Sequence, residues 1–460
     1  MLRSLVAALL TAGLLVAGCQ KAPPATQPEA APAADASIEG VGEPAWVSDA
    51  AVYELFIPDF TEAGTFRAAI GRLDALDRLG INTIWLMPIH PIGEERRKGA
   101  LGSPYAIRDY YAVNPNYGTK EDFRAFVDAA HARGIKVIID FVANHTAWDH
   151  PWTEAHPAWY TGGAPMVPVS PSGDTTNWTD VADLNYDNPA LRQEMIDVMQ
   201  YWVRAFNIDG YRCDVAGWVP DSFWTAAIDS VETIKPVLML AEHADPAIHQ
   251  NGFDWTYAWP FYGALKKVWA DTASVRTLAA QVDTTLQALP PGAERLRFTT
   301  NHDETAWDAP PPALFDGIAG AQAATMLAFT MSGIPLIYNG QELGVREPVP
   351  FFEATPYDWS QESAMRPFFR TFFSLYSDSE ALREGALDVL DASTDDVLLY
   401  TRTATEDTLL IAVNVRDRAA TVPVPATFRS RVLTDAIEGV RMEAAAIELP
   451  PYGFMLLEVE

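Results

Sequence analysis

Four apolar runs in this 460-residue chain end in acidic side chains accompanied by His, Asn or Arg. The segments at their ends are Asp140-Phe-Val-Ala-Asn144-His145, Gly210-Tyr-Arg212-Cys-Asp214, Leu240-Ala-Glu242 and Phe298-Thr-Thr-Asn301-His302-Asp303. A carboxyl group beside such partners can transfer a proton or attack an electrophilic carbon. One acidic residue at the end of a run means little, but four with flanking His and Arg are hard to obtain by chance. The pattern indicates an active site built from carboxylates.

The runs themselves predict strands buried on both faces, because they are continuous and rich in β-branched residues. Segments with helical spacing separate them, and Gly80 and Gly134 stand where two of those helices end. The predicted strands cover residues 52–56, 81–86, 135–140, 208–214, 237–241, 253–256, 296–300 and 334–338. Eight βα units predict a closed (β/α)8 TIM barrel, in which the carboxyl ends of the strands build the active site. A doubly wound open sheet is the rival, but no glycine-rich phosphate loop follows the first strand.

Two regions interrupt the βα alternation. Residues 145–187, after the third strand, form a long excursion rich in Pro, Gly, Trp and His, which predicts a lid or a small subdomain within the barrel of residues 46–384. Short strands over 397–402, 408–415 and 455–459 predict a separate antiparallel β-sandwich over residues 385–460.

The first 45 residues predict export rather than a folded element. Residues 1–18 have a short basic start and an apolar run, as in a secretory signal peptide. Leu15-Val16-Ala17-Gly18-Cys19 resembles a bacterial lipobox, which implies cleavage before Cys19 and lipidation of this residue; a simple signal peptide is the alternative. Residues 19–45 are rich in Pro and Ala and predict a tether. We therefore expect a lipid anchor on the periplasmic or cell-surface face of a bacterial membrane.

Composition narrows the classes of partner. The formal net charge of −29, from 61 acidic and 32 basic residues, repels nucleic acid and anionic lipid headgroups but is indifferent to a neutral substrate. Two cysteines, Cys19 and Cys213, exclude a disulfide framework and a thiolate zinc site. We expect a monomer without a nucleic-acid partner.

The four acidic segments resemble, in the same order, the four signature regions of the α-amylase family of glycoside hydrolases. The resemblance covers roughly residues 46–460. It implies that Asp214 is the nucleophile, Glu242 the general acid/base and Asp303 the stabiliser of the transition state. It also assigns Arg212, His145 and His302 to the substrate site. The substrate that it implies is an α-1,4-glucan such as starch or a malto-oligosaccharide.

The physical chemistry of these assignments is coherent. Strand side chains alternate, so Arg212 and Asp214 share one face while Cys213 points away as a buried, inert thiol. A guanidinium beside Asp214 should favour its ionised form, whereas burial and nearby carboxylates should raise the pKa of Glu242. Carboxyl groups on adjacent strands can approach to about 5–5.5 Å, the separation typical of a retaining enzyme.

Further residues have two interpretations each. Tyr105 matches the family tyrosine that stacks on a sugar, or is a core tyrosine. His90 lines the same pocket, or is a loop histidine with a satisfied hydrogen bond. Gly217-Trp218 stands where many family members have Lys-His, so Trp218 either stacks on a sugar or packs internally.

The sequence does not decide whether the protein binds a metal ion. Asn144 and Asp183 match family calcium ligands, and oxygen ligands suit that ion. Two candidates do not make a site, however. We expect no organic cofactor.

Three alternatives to hydrolysis of α-glucans stay open. A sugar hydroxyl could replace water at the covalent intermediate, which would give a transglycosylase or an isomerase active on trehalose or sucrose. His145, His150 and His156 suggest a metal-dependent hydrolase, although their spacing is not that of a zinc helix. A glycan-binding protein without activity is the third, although all three family carboxylates are present.

Overall fold

The computed structural model describes residues 44–443 and 445–460. Its strands are β1 Val52–Leu55, β2 Thr83–Leu86, β3 Lys136–Phe141, β4 His145–Ala147, β5 Val181–Asp183, β6 Gly210–Cys213, β7 Leu238–Ala241, β8 Trp255–Tyr257, β9 Glu294–Arg297, β10 Ile334–Tyr338, β11 Ala386–Val389, β12 Val397–Thr403, β13 Thr408–Asn414, β14 Ala420–Pro423, β15 Leu433–Asp435, β16 Arg441–Met442, β17 Ala446–Leu449 and β18 Phe454–Val459. Its α-helices are α1 Ile57–Phe60, α2 Phe66–Ile70, α3 Leu73–Leu79, α4 Lys120–His131, α5 Trp152–Ala155, α6 Pro189–Phe206, α7 Asp221–Glu232, α8 Trp259–Trp269, α9 Arg276–Ala288, α10 His302–Trp307, α11 Pro311–Leu314, α12 Gly317–Thr330, α13 Met365–Asp378 and α14 Glu380–Arg383. The predicted signal peptide, Cys19 and most of the tether lie outside the described residues.

A closed parallel barrel forms the centre of the fold. Its strands follow the order β1-β2-β3-β6-β7-β8-β9-β10, and β10 pairs with β1 to close the ring. α-Helices lie between successive barrel strands, as the sequence predicts, except between β7 and β8, where the connection contains only the 3-10 helix Pro246–Asn251. At the end of α3, Gly80 has φ 94°, and a Cβ there would lie 2.6 Å from the Cβ of Phe373. Only glycine therefore fits this helix end without displacing α13. The barrel confirms the predicted fold class.

The predicted strand before Asp303 ends well before the expected residue. We expected the strand before Asp303 to cover residues 296–300, but β9 ends at Arg297. There its neighbour in β10 is Pro335, which has no N–H to continue the ladder. Asn301 then accepts a hydrogen bond from the backbone N–H of Glu304 and caps α10. His302 and Asp303 therefore lie in the first turn of a short helix rather than on a strand.

The excursion after β3 contains a two-stranded antiparallel sheet, β4-β5, in which His145 pairs with Asp183. Ala147 and Val181 from this sheet pack with Ile92 and Ala106 of the loop that follows β2. A small hydrophobic cluster thus fixes the excursion beside the mouth of the barrel.

Residues after α14 form an antiparallel sheet of order β11-β12-β13-β18-β15-β16. A smaller sheet, β14-β17, covers one face through Val422 and Ile447. The other face packs on the barrel core, where the Arg402 guanidinium donates a 2.8 Å hydrogen bond to the carbonyl of Thr330. This is the antiparallel domain that the sequence predicts. Among the described residues, no helix combines the length and apolar character needed to cross a bilayer.

Candidate active site

A cavity of about 580 Å³ opens at the carboxyl ends of the barrel strands. The side chains that line it include six of the residues singled out in the sequence: Asp214, Glu242, Asp303, Tyr105, His145 and His302. Asp214 directly follows β6, Glu242 directly follows β7, and Asp303 lies on α10. Parallel strands deliver their carboxyl ends to one rim, so residues far apart in the chain meet here.

Arg212 lies at the centre of the site with only 1% of its surface exposed. One guanidinium nitrogen, Nη1, lies 2.9 Å from Oδ1 of Asp214, and the other, Nη2, lies 2.9 Å from Oε2 of Glu242. Nη1 also donates a 3.0 Å hydrogen bond to Asp140. Asp214 and Glu242 thus bind neighbouring nitrogens of the same planar group, which keeps their carboxyl groups side by side.

Glu242 has the environment of a proton donor. Burial raises its pKa to about 7, and Asp214 and Asp303 add to this shift while Arg212 opposes it. Its Oε2 accepts a 2.7 Å hydrogen bond from the backbone N–H of Val215, which partly opposes the rise in pKa. Val215 has φ 37° and ψ 46°, a left-handed conformation that β-branched residues rarely adopt. The strained turn after β6 thus directs a backbone donor at the carboxyl group.

Burial and Arg212 act in opposite directions on the pKa of Asp214. Burial raises the pKa of Asp214 to about 7, Arg212 opposes the shift, and Asp140 adds to it. The prediction that a guanidinium beside Asp214 favours its ionised form is confirmed, since Arg212 lowers this pKa. The net pKa is still raised, because the cost of desolvation exceeds the attraction of one guanidinium already shared by three carboxylates. The Nε2 of His145 lies 4.0 Å from Asp214, and burial lowers the pKa of His145 to about 3, so this ring is neutral.

On the other side of the cavity, buried polar groups form a chain of hydrogen bonds that ends at Asp140. The Nδ1 of His302 contacts the Glu54 carboxylate, and its Nε2 lies 3.0 Å from the Tyr105 hydroxyl. That hydroxyl donates a 3.1 Å hydrogen bond to Asp140. Burial by itself would lower the pKa of His302, but Asp303 and Glu54 outweigh it and raise this pKa to about 9. His302 is therefore an imidazolium at neutral pH.

The buried Tyr105 ring packs against other rings and also lines the cavity. Its ring stacks on His302, with ring centres 5.4 Å apart, and lies nearly parallel to Phe351 at 6.1 Å. The ring still lines the cavity, where a pyranose could contact it. Both interpretations of this tyrosine thus have a structural basis.

Comparison with known proteins identifies the architecture. The family model for the catalytic domain of α-amylase matches residues 44–161 and 175–383, and that for the C-terminal domain of maltogenic amylase matches residues 387–456. The chain belongs to the α-amylase family of glycoside hydrolases. The catalytic-domain match covers most of the barrel, together with all four acidic segments.

Individual relatives agree with this assignment. The α-amylase MalA of Haloarcula japonica is 30% identical over 87% of this chain, which spans 60% of the length of that relative. A cyclomaltodextrinase of Geobacillus thermopakistaniensis is 27% identical over 91% of this chain and 78% of its own length. The crystal structure of the maltogenic α-amylase AmyB from Thermotoga neapolitana is 29% identical, with a TM-score of 0.79 over 89% of this chain and 98% of that one.

Two residues proposed for the substrate site lie behind it in this α-amylase family member. His90 is buried against Trp202, with its Nδ1 3.0 Å from the carbonyl of Ala112, and is not among the side chains that line the cavity. Of its two interpretations, the structure supports the histidine with a satisfied hydrogen bond and not the pocket residue, because the loop after β2 turns this ring into the core. Trp218 stacks on Trp178 at 4.9 Å, and only Trp178 lines the cavity. Trp218 therefore packs against a residue of the cavity wall without lining the cavity itself, as its packing interpretation predicts.

The two candidate calcium ligands are neighbours but do not amount to a site. Asp183 accepts a 2.6 Å hydrogen bond from the Thr161 hydroxyl, and the side-chain nitrogen of Asn144 lies 3.3 Å from Nδ1 of His145. Calcium takes about six to eight oxygen ligands. Within the described ranges, no three His, Cys, Asp or Glu side chains form a metal-binding group. Calcium stays a prediction, to be checked by metal analysis of the purified protein.

Several residues of the site are not predicted by the sequence. Glu54 carries a signal that could have revealed it, because it is a charged residue inside the buried strand β1. The sequence places Asp140 at the end of a strand without assigning it to the site, and no motif marks Tyr257, which accepts a 3.2 Å hydrogen bond from Arg212. Phe351 and Trp307 also line the cavity. No local pattern marks these aromatic residues, since only the fold brings them to the cavity.

Proposed function

We propose that this protein is a retaining α-glycoside hydrolase that cleaves α-1,4-glucans, such as starch and malto-oligosaccharides. The observation that carries the proposal is the placement of Asp214 and Glu242 on neighbouring nitrogens of one buried guanidinium at the cavity floor. Retaining glycosidases need two carboxyl groups about 5–5.5 Å apart, one as nucleophile and one as acid/base. The α-amylase and cyclomaltodextrinase names of its relatives support the choice of an α-glucan.

The reaction begins with one proton shared between the two carboxyl groups. Burial raises the pKa of both carboxyl groups to about 7. In the reactive state Glu242 holds the proton and Asp214 is ionised, because the hydrogen bond from Arg212 favours the ionised form of Asp214. Glu242 transfers the proton to the glycosidic oxygen while Asp214 attacks the anomeric carbon, so that the C–O bond breaks and a glycosyl ester forms. Asp303 supports the positive charge that develops on the sugar ring.

The second half-reaction returns the site to its starting state. Glu242, now ionised, takes a proton from water as the water oxygen attacks the anomeric carbon of the ester. Asp214 leaves as a carboxylate and Glu242 is protonated again. Two inversions give a product with the α configuration of the substrate.

The test is to incubate the protein with maltoheptaose and to follow the products by chromatography and proton NMR. The expected result is shorter malto-oligosaccharides whose new reducing ends appear first as the α anomer. Initial release of the β anomer, or no cleavage of maltoheptaose, starch, pullulan or maltose, would overturn the proposal. Products longer than the substrate, or trehalose from maltose, would instead identify the transglycosylase or isomerase alternative, which uses the same intermediate.

We also propose that the enzyme is exported and held at a bacterial membrane through a lipidated Cys19. The support is the sequence Leu15-Val16-Ala17-Gly18-Cys19 and the Pro- and Ala-rich segment that follows it. A tether of this kind would let the barrel reach glucan outside the cytoplasm.

A further inference from the structure

We propose that Trp307, together with Phe351 and Phe352, binds a glucose unit at the mouth of the cavity, away from the bond that is cleaved. This inference rests on the proposed function and deepens it, since it makes chain length a determinant of affinity. The three side chains are called the aromatic platform below.

The first observation is the position of Trp307 in its helix. It is the last residue of α10, four residues after Asp303, so both lie on one face of the helix. Their separation along the axis is about 6 Å. The helix that carries a predicted catalytic carboxylate thus also presents an indole one turn further from it.

The second observation is a continuous series of aromatic rings from the floor of the cavity to its mouth. It runs from His302 to Tyr105, Phe351 and Trp307, with ring centres 5.4, 6.1 and 5.8 Å apart along the series. Phe352 lies 5.7 Å from Trp307. Every member of the series lines the same cavity. The aromatic platform is therefore an extension of the predicted catalytic site and not a separate surface patch.

The third observation is exposure. Trp307 is 64% exposed, more than any other exposed large hydrophobic side chain in the described residues. An exposed indole beside a functional cavity indicates a binding surface, and its flat face suits the apolar face of a pyranose.

Polar groups in the same cavity complete the site. The Lys98 ammonium lies 5.8 Å from the ring centre of Phe352, and it forms a 2.7 Å ion pair with Asp180. The carbonyl of Asn177 accepts a 3.3 Å hydrogen bond from the same ammonium. A sugar ring needs both kinds of surface, because it carries hydroxyl groups around an apolar face. A glucose unit of a bound α-glucan is the occupant that fits this combination.

The experiment compares Trp307→Ala with Trp307→Phe, using maltoheptaose and maltotriose as substrates. We expect Trp307→Ala to raise the KM for maltoheptaose by roughly five- to tenfold, the usual size of one aromatic stacking contact. The fold-increase in KM should be larger for maltoheptaose than for maltotriose, and Trp307→Phe should recover most of the loss. Leu286→Ala is the control, since Leu286 is 41% exposed on α9 and does not line the cavity.

Two results would overturn the aromatic platform. Unchanged KM for maltoheptaose in Trp307→Ala would show that no sugar binds there, and an equal loss of kcat/KM with both substrates would show that Trp307 only holds α10 in place. Calorimetry of maltoheptaose binding to Asp214→Asn, with and without Trp307→Ala, separates this question from the proposed function. A difference in affinity between these two variants would support the platform even if the wild type cleaved neither sugar.

Discussion

The residues of the site form one connected set of charges. Arg212 binds three carboxylates, and the Tyr105 hydroxyl links this group to the His302 imidazolium and to Glu54. In such a set the position of each proton depends on several groups at once. Isosteric substitutions, which remove a charge but keep the shape of the side chain, therefore test the role of each group best.

Replacement of Asp214 by Asn removes the predicted nucleophile and keeps its shape. We expect kcat on maltoheptaose to fall by at least about 10³-fold, as loss of a covalent catalyst should cause. Asp187→Asn is the control, because Asp187 is exposed and does not line the cavity. Near-normal turnover in a folded Asp214→Asn protein would reject the role of nucleophile.

Replacement of Glu54 by Gln tests the charge on His302. The carboxylates of Asp303 and Glu54 raise the pKa of His302 to about 9, against the effect of burial. Without the Glu54 charge this pKa should fall, so His302 should lose its proton at a lower pH. The measurement is an NMR titration of the His302 ring, in which we expect the midpoint to drop by more than about one unit. Glu342→Gln is the control, since Glu342 is another buried glutamate but binds Tyr53. An unchanged midpoint in Glu54→Gln would show that Asp303 alone sets the charge.

Among the single elements, α10 shows most clearly how local structure positions the residues of the site. It has six residues, too few to be stable alone, yet it carries His302, Asp303 and Trp307. Its first turn depends on the side chain of Asn301, which caps the backbone of Glu304. The placement of a predicted catalytic carboxylate thus depends on a helix cap.

Substitution of Asn301 by Ala should therefore affect stability and activity together. We expect the free energy of unfolding to fall by about 1 kcal/mol, the usual cost of losing such a cap, and kcat to fall as Asp303 moves. Asn188→Ala is a matched control, because Asn188 caps α6 through the N–H groups of Ala190 and Leu191. Denaturant unfolding and initial rates should show similar destabilisation in both variants but a loss of kcat only in Asn301→Ala. Equal activity in the two would show that α10 is held by packing alone.

At the scale of the whole molecule, the barrel and the C-terminal sheet share one hydrophobic core. Leu398, Ile411 and Leu456 of that sheet belong to the same buried cluster as the barrel strands. The sheet therefore stabilises the face of the barrel next to α12 and α14 and contributes no side chain to the cavity. The predicted attachment of the molecule to a membrane depends on its N-terminal residues and not on this sheet.

Cys19→Ala should release the enzyme from membranes. Lipidation requires the cysteine thiol, and acyl chains supply the hydrophobic attachment. Cell fractionation after a high-salt wash should find the variant in the soluble fraction, with the wild type and Gln20→Ala in the membrane fraction. Co-sedimentation of Cys19→Ala with membranes would contradict the lipid anchor.

The sequence alone determined the fold class and the acidic segments. Continuous apolar runs separated by helical spacing predict a parallel barrel, because strands buried on both faces need no polar side. Since the strands of such a barrel end at one rim, the sequence predicts that Asp214 and Glu242 lie close together.

Only the tertiary structure decided what surrounds these groups. The end of β9 depends on its partner Pro335, and the pKa of Asp214 depends on how deeply the barrel buries it. The contact between Glu54 and His302 joins residues 248 positions apart, and His90 turns away from the cavity into the core. Burial and long-range contacts are properties of the packed chain, so local sequence patterns cannot give the charge, the orientation or the neighbours of a side chain.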